Sequence, residues 1–212
     1  DTPVQLRPRG LNMARRPRRD DQRPLQRRPA TRTPLPRILV VCEGVVTEPG
    51  YVEGFRLAHG ANTVRVEVES PGGDPKALVA RAVARRDAAA SEARRARDEN
   101  LRFDEVWCVF DVDRHQRLDE ALREAERSKI SLAVSNPCFE LWLLLHFADQ
   151  TSHLTPRQAA DRLRKYLAGY SKHVRFGDVS AGYEEALRRA QALDARQEEA
   201  GSPGGNPSTG MH

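Results

Sequence analysis

Cysteine is scarce in this chain. Of 212 residues only Cys42, Cys108 and Cys138 are cysteines. They lie far apart, show no CxxC spacing and cannot all pair, so neither a disulfide framework nor a zinc ribbon is supported. A reducing, cytoplasmic setting is the simple expectation. No apolar run of membrane-spanning length occurs within the 39% hydrophobic content, and the N-terminal stretch is Arg/Pro-rich rather than shaped like a signal peptide, so no membrane role is expected. No phosphate-binding Walker loop and no internal repeat are present, so any ATP-driven step must come from another chain. Lysine is rare too: four of the 35 basic residues.

The charge is unevenly spread. Up to Arg37 there are eleven Arg against three Asp, a balance of +8, which leaves the rest of the chain at −3 out of the net +5. Residues 1–36 also carry seven of the 14 prolines and almost no apolar pattern. Such a segment cannot pack a core and reads as a disordered arm, either a solvated tail or a contact for nucleic-acid phosphates. Met13 is a candidate natural start. At the far end, AGSPGGNPSTGMH, residues 200–212, reads as a flexible tail, leaving 37–199 as the folded domain.

Between the tails the punctuation alternates. RILVVC at 37–42 is a continuous apolar run of the kind found in a strand covered on both faces, and Thr47 to His59 reads as a helix with Pro49 in its first turn. TVRVEVE alternates with period two, as a strand nearer an edge should. Asp74 and Pro75 supply an N-cap and a first-turn proline for a long Ala/Arg helix. EVWCVF is another buried strand, Gln116 to Ser128 a charged helix, and ISLAV a fourth strand. Asn136-Pro137 opens the apolar helix CFELWLLLHF, and two amphipathic helices follow, about Pro156 to Ala168 and Tyr183 to Glu199. This order predicts an α/β fold of Rossmann-like type: about four mainly parallel strands flanked by helices, with a helical C-terminal region.

In open parallel sheets, chemistry sits where the carboxyl ends of the strands meet at a topological switch point. Glu43 follows the first strand. The third ends in FDVDRH, and in extended chain Asp111 and Asp113 project to the same side. Three carboxylates converging on one spot repel one another, and burial raises the cost of their ionisation, so such a cluster calls for a cation. Hard oxygen donors select Mg²⁺, with Mn²⁺ as substitute, completed by waters and substrate phosphates. The competing explanations are an acid capping a helix N-terminus or paired with an Arg.

A Glu after strand one and a DxD after strand three resemble the TOPRIM domain of topoisomerases, primases and small nucleases. ILVVCEG, TEPGYVEGF, VWCVFDVDRH, AVSNPCFELWLLLHF and GYSK together resemble the RloB-like family, associated with abortive infection and phage defence. The resemblance spans about Arg37 to Arg175, and Val45 and Val46 stand where that pattern has polar or charged residues. It implies Mg²⁺-dependent phosphodiester hydrolysis, with Asp111 and Asp113 holding the metal and Glu43 either completing its shell or acting as general base or acid. It also implies an ATPase partner of AAA or ABC type, since relatives are encoded beside one.

Further candidates are weaker. Glu48 is either a second-metal ligand or a first-turn acid favoured by the helix dipole. Glu140, alone among apolar residues, must line the crevice or pair with a base. His146 is six residues on, so the two need not share a face; a satisfied core histidine is the alternative to a site role. Arg114 and His115 follow the acids and would meet a scissile phosphate or balance the carboxylates. Lys172, in GYSK, is a phosphate-stabilising cation or an ordinary surface residue. Trp107 and Trp142 read as core. The leading expectation is a nuclease acting on DNA or RNA. A structured-RNA processing nuclease, or a non-catalytic recognition subunit that binds Mg²⁺ and nucleotide phosphates without turnover, are the alternatives.

Overall fold

The alternating apolar runs and capped stretches fold as parallel strands joined by helical crossovers. The computed structural model describes residues 35–59, 64–112 and 117–212. In chain order these form β1 (Arg37–Cys42), α1 (Thr47–Ala58), β2 (Arg65–Glu69), α2 (Pro75–Ala96), β3 (Glu105–Asp111), α3 (Leu118–Ser128), β4 (Ser131–Asn136), α4 (Phe139–Leu145), α5 (Pro156–Leu163), α6 (Phe176–Val179), α7 (Tyr183–Glu199) and β5 (Ser208–Thr209). One sheet runs β2-β1-β3-β4-β5. The first four strands are parallel, and β5 pairs antiparallel with β4.

The strand order reverses between β1 and β3, which makes their carboxyl ends the switch point. Register there is tight. Cys42 lies opposite Val109 and Asp111 opposite Ser135, while the Glu43 N–H donates to the Val109 carbonyl at 2.9 Å and the Val112 N–H to the Ser135 carbonyl at 2.8 Å.

Period-two alternation divides the core into two layers. Leu39, Val41, Val106, Cys108 and Phe110 face Leu78, Val79 and Ala82 of α2 and Ala121 and Ala125 of α3. Val40, Cys42, Val109 and Ala133 face the other way, toward α4, Tyr51 and the C-terminal helices. α4 is buried at all seven residues, Glu140 included.

Helix starts follow their caps. The Asp74 side chain accepts from the Ala77 N–H at 3.0 Å ahead of Pro75, and Thr155 and Gln158 form a reciprocal capping box ahead of Pro156. β2 occupies the sheet edge, as its alternation predicts. Glu67 and Glu69 on one of its faces engage Arg37, Arg81 and Arg85, and the Arg37 guanidinium lies 4.3 Å from the Phe103 ring centre.

The expected four parallel strands are joined by a two-residue fifth, β5, and one expectation is corrected by it: 200–212 is not a free tail. Pro207, Ser208 and Thr209 are buried, the Thr209 and Ser135 hydroxyls lie 2.8 Å apart, and the Gly210 N–H donates to the Val134 carbonyl at 2.9 Å. A strand of two residues has no periodicity to detect, and the Gly/Pro-rich approach to it masks the ladder that β4 offers. The Pro156 helix is also shorter than expected, ending at Leu163. Residues 1–34, which include most of the expected arm, and the stretch 113–116 lie outside the described residues.

Candidate functional site

Four carboxylates gather at the switch point, brought there by four different elements. Glu43 is the first residue past β1, and its Oε2 accepts from the Asp111 N–H at 3.1 Å, which ties the two strand ends together. Asp111 closes β3. Glu48 lies in the first turn of α1, and Glu140 in the first turn of α4. With Lys172 and the loop 44–47, Glu43, Glu48 and Asp111 line a cleft of about 390 Å³.

The charge in this cleft is concentrated and partly desolvated. Burial, reinforced by Glu48, Glu140 and Glu43, pushes the Asp111 carboxyl up to about 8 against the opposing effect of the Phe139 backbone N–H. Burial also raises the Glu48 carboxyl, with Glu140 and Glu43 adding to the shift and Lys172 opposing it. Among the described residues no group of three His, Cys, Asp or Glu side chains is arranged to hold a metal ion. Asp113, the other half of the aspartate pair, lies outside those residues, as do Arg114 and His115.

Glu48 is the first-turn acid that its position suggested, and it also lines the cleft. It is a buried first-turn acid bonded to its own backbone N–H, and α1 has no side-chain cap from Val46, so the carboxylate serves the helix start while lining the cleft. Gly44 makes this possible. A Cβ at that position would lie 2.0 Å from Glu48 Oε2, so only glycine lets the carboxylate rest on the loop.

Glu140 is satisfied by Tyr170, whose hydroxyl donates to its Oε1 at 2.8 Å. The same phenol sits against the Thr47 hydroxyl, which donates to the Lys172 carbonyl at 2.8 Å. A short strap, 170–172, is thereby tied across the α1 N-terminus and the α4 N-terminus, and it delivers Lys172 to the cleft rim. Lys172 is exposed and has φ of +71°, a left-handed conformation that a lysine adopts only when its surroundings hold it there. Sequence reasoning missed Thr47 and Tyr170 as parts of the site. The GYSK resemblance marked the segment, but which side chain faces Glu140 depends on a contact 30 residues apart.

His146 is not in the site. Its ring packs edge-on to Trp142 and Tyr51, with Nδ1 3.0 Å from the Trp142 carbonyl and Nε2 3.2 Å from the Tyr51 hydroxyl. A proton on Nδ1 donating to the carbonyl, with Nε2 accepting from Tyr51, satisfies both. Burial lowers its pKa to about 4, so it is neutral at pH 7. Trp142 is fully buried and Trp107 packs against the core, as expected of both.

Comparison with known families gives one match, RloB-like protein, over residues 38–212. No curated protein and no solved structure matches the chain. The family match covers all five strands apart from Arg37, the four carboxylates at the switch point, and the strap that carries Lys172. This chain belongs to the RloB-like protein family.

Proposed function

We propose that this protein is a Mg²⁺- or Mn²⁺-dependent nuclease of TOPRIM type that hydrolyses nucleic-acid phosphodiesters in abortive-infection defence, together with an ATPase partner of AAA or ABC type. One observation carries the chemical part: at the switch point of a parallel sheet, Asp111 is raised to about 8 by burial and by three neighbouring carboxylates, with a lysine on the cleft rim. The donor set is all carboxylate oxygen, which fits a hard divalent ion, and the crowded negative charge is what such an ion neutralises. Glu43 and Asp111, with Asp113, would hold it, and Glu48 or Glu140 would add to its shell. When bound, the ion supplies Lewis-acid polarisation of a phosphate oxygen and a lowered pKa for a coordinated water.

The chain's own residues divide the remaining work. Glu43, which accepts from the Asp111 N–H, would take or return a proton at the reacting oxygen. Lys172, presented by the strap, offers positive charge to a phosphate that would otherwise meet only carboxylates. Tyr170 fixes the Glu140 carboxylate by hydrogen bonding. Defence and the ATPase partner rest on the family resemblance and belong to this proposal.

The test is cleavage of labelled single-stranded, duplex and structured DNA and RNA with Mg²⁺ or Mn²⁺. We expect hydrolysis of at least one substrate, abolished by chelation and reduced about 10²-fold or more by Asp111→Asn. Absence of turnover on every substrate, even with a partner ATPase of AAA or ABC type present, overturns the reading in favour of a recognition subunit.

A further inference from the structure

A second cavity opens beside the acidic cleft, on the other side of the β3 carboxyl end. It is a shallow, open depression of about 300 Å³, and its lining includes Val112, Asn136, Pro137, His153, Pro156 and Asn206. Asp111 lines the cleft and Val112, the next residue, lines this pocket. One residue of extended chain is about 3.3 Å, so the two sites are immediate neighbours. Register gives the same result on the adjoining strand, because Ser135 lies opposite Asp111 and Asn136 reaches the pocket.

The walls are built rather than incidental. Asn206 clasps the backbone of Leu154 from both sides: its Oδ1 accepts from the Leu154 N–H at 3.0 Å, and its Nδ2 donates to the Leu154 carbonyl at 2.8 Å. Asn136 Nδ2 donates to the Gly204 carbonyl at 2.9 Å. Three distant stretches of chain are thus locked around one opening, and the C-terminal segment supplies one wall.

The chemistry of the lining contrasts with that of the cleft. Among the described residues no carboxylate lines the pocket. It combines apolar rings, Pro137 and Pro156, and the exposed imidazole of His153 with the amides of Asn136 and Asn206. A nucleobase has that composition in reverse, two π faces and a hydrogen-bonding edge, and carries no charge that would need a counter-ion. The volume is at the small-ligand end of binding pockets.

We propose that this pocket receives the nucleoside unit adjoining the scissile phosphate, with His153 stacking on the base and the hydrogen-bonding capacity that Asn136 and Asn206 retain beyond their backbone bonds meeting its edge. The assignment rests on the nuclease reading above and extends it by naming where the substrate is gripped. Phosphate in the cleft and base in the pocket would then be held on either side of the β3 end, and affinity for the base would come from residues separate from the carboxylates.

The test separates the two claims. Single-stranded DNA and RNA oligonucleotides with one abasic position moved stepwise along the strand are bound to full-length Asp111→Asn protein, with and without His153→Ala. We expect one abasic position to weaken binding about tenfold, the order of a lost base stack. His153→Ala should cost the intact oligonucleotide a similar factor and the abasic one almost nothing. Losses that multiply independently, or no sensitive position, overturn the pocket assignment, as does failure of every oligonucleotide to bind. Cleavage by the wild-type chain is scored in parallel. Turnover without the His153 coupling removes the pocket and keeps the nuclease, whereas coupling without turnover on any substrate keeps the pocket and removes the nuclease.

Discussion

Asp111 illustrates how burying one carboxylate makes stability depend on pH. Its folded pKa of about 8 stands above the ordinary 3.8, so its contribution to stability is full below pH 3.8 and is lost as pH rises through about 8. Asp111→Asn should therefore raise stability at pH 8–9 by about 1–3 kcal/mol in the absence of divalent ions, and the gain should vanish near pH 4. Thermal melts across that range check this. Adding Mg²⁺ should raise the wild-type melting temperature and leave the variant nearly unmoved. His146 has the opposite sign: lowered from 6.5 to about 4, it contributes stability above pH 6.5 that disappears as pH falls toward 4. In chelated buffer His146→Phe should flatten this part of the acid limb in the same melts, even if packing losses lower the whole curve. Gly44 is governed by space. Gly44→Ala places a methyl where the Glu48 carboxylate lies, and we expect cleavage activity to fall at least about tenfold as that acid is displaced, with the helices intact by circular dichroism.

At the scale of elements, the strap 170–172 joins two helix starts that the chain keeps far apart. Tyr170→Phe removes the hydroxyl that Glu140 accepts from and leaves a buried carboxylate short of a donor. About 1–3 kcal/mol of stability should be lost, measured by urea unfolding, along with part of the activity. Most elements were legible in the sequence for stated physical reasons. β1 and β3 are apolar on both faces, β2 alternates because it lies at an edge, and Asp74-Pro75 and Thr155-Pro156 signal helix starts through local chemistry. Glu43 and Asp111 could be brought together on paper because strand order alone places two carboxyl ends side by side. Tyr170, Thr47 and β5 were not legible, since each depends on a long-range pairing that leaves no period in the chain. α6 spans four residues, too few to show a helical repeat.

At the scale of the whole molecule, the sheet has two dissimilar edges. β2 carries charged residues that discourage further pairing, whereas β4 would be open without β5. Deleting residues 204–212 should therefore do more than trim an end: it removes buried Pro207, Ser208 and Thr209, the clasp on Leu154 and one edge of the sheet. We expect a loss of about 2–4 kcal/mol by urea unfolding, with increased aggregation. A true tail would cost nothing.

The same clasp has a temporal side. Ser135 and Thr209 are 74 residues apart, so during translation β4 waits until α4 through α7 have emerged from the ribosome before its last neighbour arrives. A nascent chain that halts before Asn206 has its acids in place but an open flank beside them. Arrival of the β5 segment, rather than formation of the acidic cluster, is the event that closes this edge of the sheet.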